Sequence, residues 1–248
     1  MGTRKVKSAK KVITKSTQKG VILMSLTSLE PKGSSVISVP QSQNVELTAD
    51  DIELGRLLLM QQTKPQGFDE AKFGDIHETV VGSRVAGFDS AVDVIPVQTQ
   101  KFWRVWDSKE KKVVAILPAS AQNMHLRQVT EYEGKAVQYF MVYRFYVLFA
   151  RDLQKGGGMP YILDFKSTSQ HAGKKINTQI INNKMRSKDP LSGTVVKLSS
   201  MKSVTNGNTY AVFITSPGRE TTAAELEMCK QWQSMLAGKK VVTEEDVE

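Results

Sequence analysis

The chain has 248 residues, 40% of them hydrophobic and 24% charged, which suits one substantial core with appended segments. Its formal net charge of +9 and pI near 9.5 favour a polyanionic partner through long-range attraction. The single cysteine, Cys229, excludes an intrachain disulfide and a cysteine-rich zinc site, and His77, His125 and His171 are too scattered for a local metal-ligand motif.

Residues 1–45 read as a basic, flexible arm. The first twenty positions carry Arg4, Lys5, Lys7, Lys10, Lys11, Lys15 and Lys19 with no acidic residue, and a Ser-, Thr- and Val-rich stretch of little periodicity follows. "VILMSL" is too short for a secretory signal, so no export is expected. In "LTADDIELGRLLLMQQ", Thr48 suits a helix N-cap and Asp50, Asp51 and Glu53 its first turn, so an N-terminal helix is expected.

From about residue 73 the pattern turns to short β-branched and aromatic runs broken by Gly, Pro and charge. "HETVVGSRV", "AVDVIPVQTQKFWRVWD" and "KKVVAILP" read as strands. The run "AVQYFMVYRFYVLFA", residues 136–150, falls short of the roughly 20 apolar residues of a spanning helix and contains Gln138 and Arg144, so it reads as a strand. "DLQKGGG" then turns into the strand "MPYILDFK".

A helix is expected over about residues 168–185, capped by Thr168 or Ser169. Its inner face holds Ala172, Ile176, Gln179, Ile180 and Asn183 at spacings of three and four. "GTVVKLSSMKSV" and "YAVFITS" flank Asn206-Gly207, a hairpin signal. A last helix over about 219–237 would bury Ala224, Met228, Trp232 and Met235, and the chain closes on the acidic "TEEDVE". Strands, a helix, two strands and a terminal helix match an OB-fold-like five-stranded barrel, an α+β arrangement with its helix between strands 3 and 4 plus N- and C-terminal helices. The expected organisation is an arm at 1–45, a nucleic-acid-binding domain at 46–238 and an acidic tail at 239–248.

The junction "YILDFKSTSQHAGKKINTQIINNK", residues 161–184, admits three readings. A Walker loop is excluded, because Gly173-Lys174-Lys175 lacks the second glycine and the hydroxyl after lysine. "ILDFK" resembles the D-x-K element of restriction-endonuclease-like nucleases, which would cast Asp164 and Lys166 as metal-binding and water-orienting residues. The preceding strand, however, supplies no further carboxylate for a magnesium site. In the third reading Lys166, Ser167, Thr168 and Ser169 begin a helix whose basic face meets phosphates.

"FKSTSQHAGKKINT" resembles a family of tailed-bacteriophage single-stranded DNA-binding-like proteins in which the run is similar to F-K-S-T-x-x-K-A-x-K-K-x-N-T. Phe165, Lys166, Ser167, Thr168, Ala172, Lys174, Lys175, Asn177 and Thr178 fit it, and His171 stands where a lysine is expected. The likeness extends upstream through "FGDIHETVVGSRVAGFDSAVDVIPVQTQKFWRVWD" and covers about residues 70–215.

Sequence-neutral strand binding needs cations along the backbone and aromatic faces for bases. "QKFWRVWD" places Lys101 and Trp103 on one strand face and Arg104 and Trp106 on the other. The next strand places Tyr139 and Tyr143 on one face and Arg144 among apolar residues on the opposite one. Arg144 marks its face as the better candidate for the open side. With Lys166, Lys174, Lys175, Lys184 and Arg186 these form the candidate nucleic-acid-binding set.

The expected function is a non-catalytic protein that coats single-stranded DNA, or alternatively RNA, in phage replication or recombination in the cytoplasm of the infected host. No cofactor, metal or membrane is expected. Phage replication proteins recruited by the acidic tail and a second copy of the chain are the other expected partners. A D-x-K nuclease and a virion or assembly protein are the competing readings.

Overall fold

A computed structural model describes residues 53–237. The basic arm, the acidic tail and the first part of the expected N-terminal helix lie outside the described residues. Among the described residues the chain is mainly β with a few helices, and no helix is long and apolar enough to cross a membrane.

Two long strands form the backbone of the main sheet. β4, Val92–Asp107, runs antiparallel to β7, Lys135–Phe149, from Val94↔Phe149 to Asp107↔Val137. Both are dense in β-branched and aromatic residues, which pack well on a pleated surface. Pro96 cannot donate to a ladder, and the register shifts beside it, between Pro96 and Gln98, so one strand absorbs a proline at a bulge.

β5, Lys112–Pro118, folds back on the second half of β4. β6, Glu131–Tyr132, and β8, Tyr161–Phe165, pair with opposite ends of β7. A single helical turn, α1, Ala150–Leu153, leads from β7 toward β8. β9, Thr194–Thr205, pairs with the start of β4 and with β10, Asn208–Glu220. Asn206 and Gly207 have φ of 51° and 77°, the left-handed pair that a two-residue hairpin turn requires.

The sheet buries both faces. On one, Trp103, Met141, Tyr143, Phe145 and Phe165 pack under Ala172 and Ile176 of α2, Gln170–Met185. A Cβ at Gly173 would lie 3.0 Å from Tyr143 Cβ and 3.1 Å from Phe165 Cβ, so the missing side chain sets how closely α2 lies on the sheet. On the other face, Ile95, Val97, Tyr146 and Leu148 meet Cys229 and Leu236 of α3, Ala223–Leu236.

Three expectations need correction. The N-terminal helix does not form over the described part of its segment, because Leu57–Leu59 is instead strand β1 of a separate three-stranded sheet with β2, Ile76–Glu78, and β3, Arg84–Ala86. Pairing with β2 overrides the local helix signals.

The buried stripe of α3 is offset from the expected one. Glu225, Cys229 and Leu236 are buried while Ala224 and Met235 are exposed. Glu225 goes inside because Arg219 binds both of its carboxylate oxygens, at 2.8 and 2.5 Å, and Thr222 caps the helix through a reciprocal pair of bonds.

The third correction concerns closure. The described chain has ten strands, not five, and the main sheet is open. No ladder joins β8 to β10. Residues 55–61 lie across that gap instead: Ile162 N–H donates to Gly55 O at 2.8 Å, Arg56 makes one parallel bridge to Ile162, and the Gln61 side chain reaches Ala211 on β10. α2 lies between β8 and the β9–β10 hairpin.

Candidate functional site

The seam where the sheet fails to close is a cleft of about 850 Å³. Its walls come from β1 and the residues after it, the end of β8 with the turn into α2, and the start of β10. Arg56, Arg104 and Lys166 all line it, and Asp164 is the one acidic residue among the lining groups.

Each cation is positioned by a different element. Arg56 is fixed through its backbone: its N–H donates to Thr79 Oγ1 at 2.8 Å and Thr79 N–H donates to its carbonyl at 3.1 Å. Arg104 projects from β4 beside Phe140 of β7 and Ile116 of β5, its cross-strand partners. Lys166 follows the last residue of β8, and the next residue, Ser167, has φ of 49°, turning the chain into a 3-10 turn, Ser167–Ser169, ahead of α2.

Asp164 does not offset these cations fully, because it is already engaged. Arg144 donates to both of its oxygens at 2.8 Å, and Arg56 Nη1 lies 3.5 Å away. Arg144 itself is 3% exposed and sits over the Phe102 ring at 4.9 Å. The cleft therefore carries excess positive charge. Lys166 reaches solvent yet lies among enough protein atoms that desolvation pushes its ammonium below the ordinary lysine range; Arg104 and Arg56 push the same way and Asp164 opposes them. An anion in the cleft would relieve that crowding.

The residues singled out in the sequence divide among three places. Arg104 and Lys166 meet in the cleft, and Trp106 continues the Arg104 face as a half-buried ring with half-buried Phe140 nearby. Trp103 is fully buried on the opposite face, its indole N–H donating to Asn123 Oδ1 at 3.3 Å, so a base has no access to it. Tyr143 is buried beside it under the Lys101 ammonium, and Tyr139 donates its hydroxyl proton to Glu131 O. Arg144 is buried and committed to Asp164, so it positions a carboxylate and does not itself face a groove. Lys174, Lys175, Lys184 and Arg186 are exposed along α2 and do not line the cleft.

Arg56 and Tyr210 line the cleft and are absent from the set read in the sequence. Arg56 was hidden in a segment read as helix, though a lone arginine in "LGRLLLM" carries the same signal that drew attention to Arg144. Tyr210, 36% exposed, follows the hairpin turn and offers an aromatic ring at the cleft wall.

Among the described residues there is no group of three or more His, Cys, Asp or Glu side chains placed to hold a metal ion. Asp164, the acidic residue of the D-x-K triplet, has both oxygens taken by Arg144.

The family model of the Pam3 phage gp34-like proteins matches residues 41–242, and the chain belongs to that family. No curated protein and no solved structure matches the chain.

Proposed function

We propose that the protein is a non-catalytic single-strand nucleic-acid-binding protein of a phage, acting on single-stranded DNA in the host cytoplasm during replication or recombination. The observation that carries this reading is the convergence of Arg56, Arg104 and Lys166 on one cleft in which Asp164, the one carboxylate among the described lining residues, is already bound by a buried arginine. Three cations gathered around one carboxylate suit phosphates, which need no sequence-specific contact.

The half-buried Trp106 and Phe140 beside Arg104, and Tyr210 on the far wall, supply faces on which unstacked bases can lie, each stack contributing roughly 1–3 kcal/mol. An oligonucleotide-binding role thus survives the loss of the closed barrel, because an open seam provides the groove. The arginine clamp on Asp164 favours binding over D-x-K cleavage, since a carboxylate shared by two guanidinium groups is a poor ligand for a divalent cation.

The test is fluorescence anisotropy of a labelled thymidine oligomer in the presence of Mg²⁺, with the oligomer's length checked afterwards. Binding of an intact strand that weakens in Arg56→Ala and Lys166→Ala supports the reading. A shortened strand would restore the nuclease, and no binding would leave a virion or assembly role.

A further inference from the structure

Gln61 makes a pair of side-chain bonds across the seam that matches a peptide edge. Its Nε2 donates to Ala211 O at 3.0 Å and its Oε1 accepts from Ala211 N–H at 3.0 Å, between residues 150 positions apart. The hairpin register explains why Ala211 is available. With Asn206-Gly207 as a two-residue turn, Thr205 and Asn208 form the first hydrogen-bonded pair, so Ala211, opposite Lys202, turns its N–H and C=O away from β9 and toward the cleft. Phe213, two residues on, likewise turns its N–H outward, to Ser169 Oγ at 3.1 Å.

A primary amide presents one donor and one acceptor side by side. Every nucleobase carries the same pairing on an edge: an amino group beside a ring nitrogen in adenine and cytosine, and a ring N–H beside a carbonyl in guanine and thymine. The Ala211 backbone, now answering Gln61, is therefore complementary to any base. It lies in the same cleft as the three cations that suit the phosphate.

We propose that Gln61 holds the place of a nucleobase: a base of the bound strand enters the cleft, displaces the Gln61 amide and takes over both hydrogen bonds to Ala211, while Arg56 and Lys166 hold its phosphate. This rests on the single-strand reading above and adds to it a base-reading position that tolerates all four bases. Gln61 is half-buried, so its side chain has solvent to move into.

The experiment compares a labelled thymidine oligomer with an abasic oligomer of equal length, using the full chain and Gln61→Ala. Removing the internal competitor, which makes two hydrogen bonds, should tighten thymidine binding roughly tenfold and leave abasic binding within about twofold. Thymidine binding that is unchanged or weaker in Gln61→Ala, or an equal gain on the abasic strand, overturns the proposal while leaving the single-strand reading intact. Failure of the unaltered chain to bind either strand overturns both. Should Gln61→Ala not fold, the side-chain amide resonances of Gln61 in the unaltered protein decide: thymidine 5′-monophosphate should shift them and 2-deoxyribose 5-phosphate should not. Resonances that stay in place at saturating nucleotide overturn the displacement.

Discussion

Replacing Asp164 by alanine removes the carboxylate that accepts two bonds of 2.8 Å from the buried Arg144 guanidinium. Breaking a buried ion pair by deleting one partner costs about 3–5 kcal/mol, because the remaining charge stays desolvated. Here the Asp164 side chain is 23% exposed, so water can enter behind the substitution, and Arg144 keeps its contact with the Phe102 ring. Both features place the loss near the lower limit, about 3 kcal/mol, or roughly 6–12 °C in Tm for a domain of this size. Urea unfolding of Asp164→Ala, Arg144→Met and the double variant measures it. Because Arg144→Met leaves a side chain of similar reach and no charge, the double variant should recover most of the loss, with a coupling of at least about 2 kcal/mol. A loss under about 1 kcal/mol in Asp164→Ala, or strictly additive variants, would refute the clamp and with it the argument that Asp164 is unavailable to a metal.

Glu225 is held down to about 2 from its ordinary 4.5: burial opposes this, but the Arg219 bonds lead and Thr222 adds to them. A depressed carboxylate stabilises the fold above its unfolded pKa and loses that contribution as pH falls through its folded one, so the window runs from about 4.5 down to about 2. Glu225→Gln should cost about 2 kcal/mol near neutral pH, and the gap from the unaltered protein should narrow across that window; a pH-independent gap contradicts the assignment. Gly173→Val drives branched carbons into Tyr143 and Phe165 and should lose about 1–3 kcal/mol by thermal melt, whereas neutrality would show that α2 can lift from the sheet. Cys229 is buried and desolvation raises its thiol to about 11, so it should resist thiol reagents in the native protein and react on unfolding. Rapid native labelling would place that face of α3 in solvent.

What could be read in the sequence was local. The two long strands, the Asn206-Gly207 hairpin and the inner face of α2 follow from alternation, turn chemistry and helical spacing, each set by neighbours a few residues apart. Assigning the two tryptophans of "FWRVW" required more. Adjacent strand faces look alike in sequence, and Trp103 is the buried one because its side belongs to the cluster of Met141, Tyr143 and Phe165 and its indole N–H donates to Asn123. Arg144 was rightly conspicuous as a charge among large apolar residues, but its partner, Asp164, appeared only as half of a nuclease-like triplet. The cleft itself was not legible. It depends on β1 replacing an expected helix and on Gln61 reaching across 150 residues to β10, and neither the failure of closure nor the meeting of Arg56 with Lys166 leaves a local pattern.

The central claim is that the seam cleft, and not the lysine-rich outer face of α2, carries nucleic-acid binding. The most direct test is the salt dependence of binding to a thymidine oligomer. If Arg56, Arg104 and Lys166 each neutralise one phosphate, log K should fall with log salt at a slope of about −2, and Arg56→Ala or Lys166→Ala should each flatten it by about 0.7. Lys174→Ala with Lys175→Ala should leave the slope nearly unchanged. A slope that responds to the α2 lysines and ignores the cleft residues would contradict the account and move the binding surface to the helix.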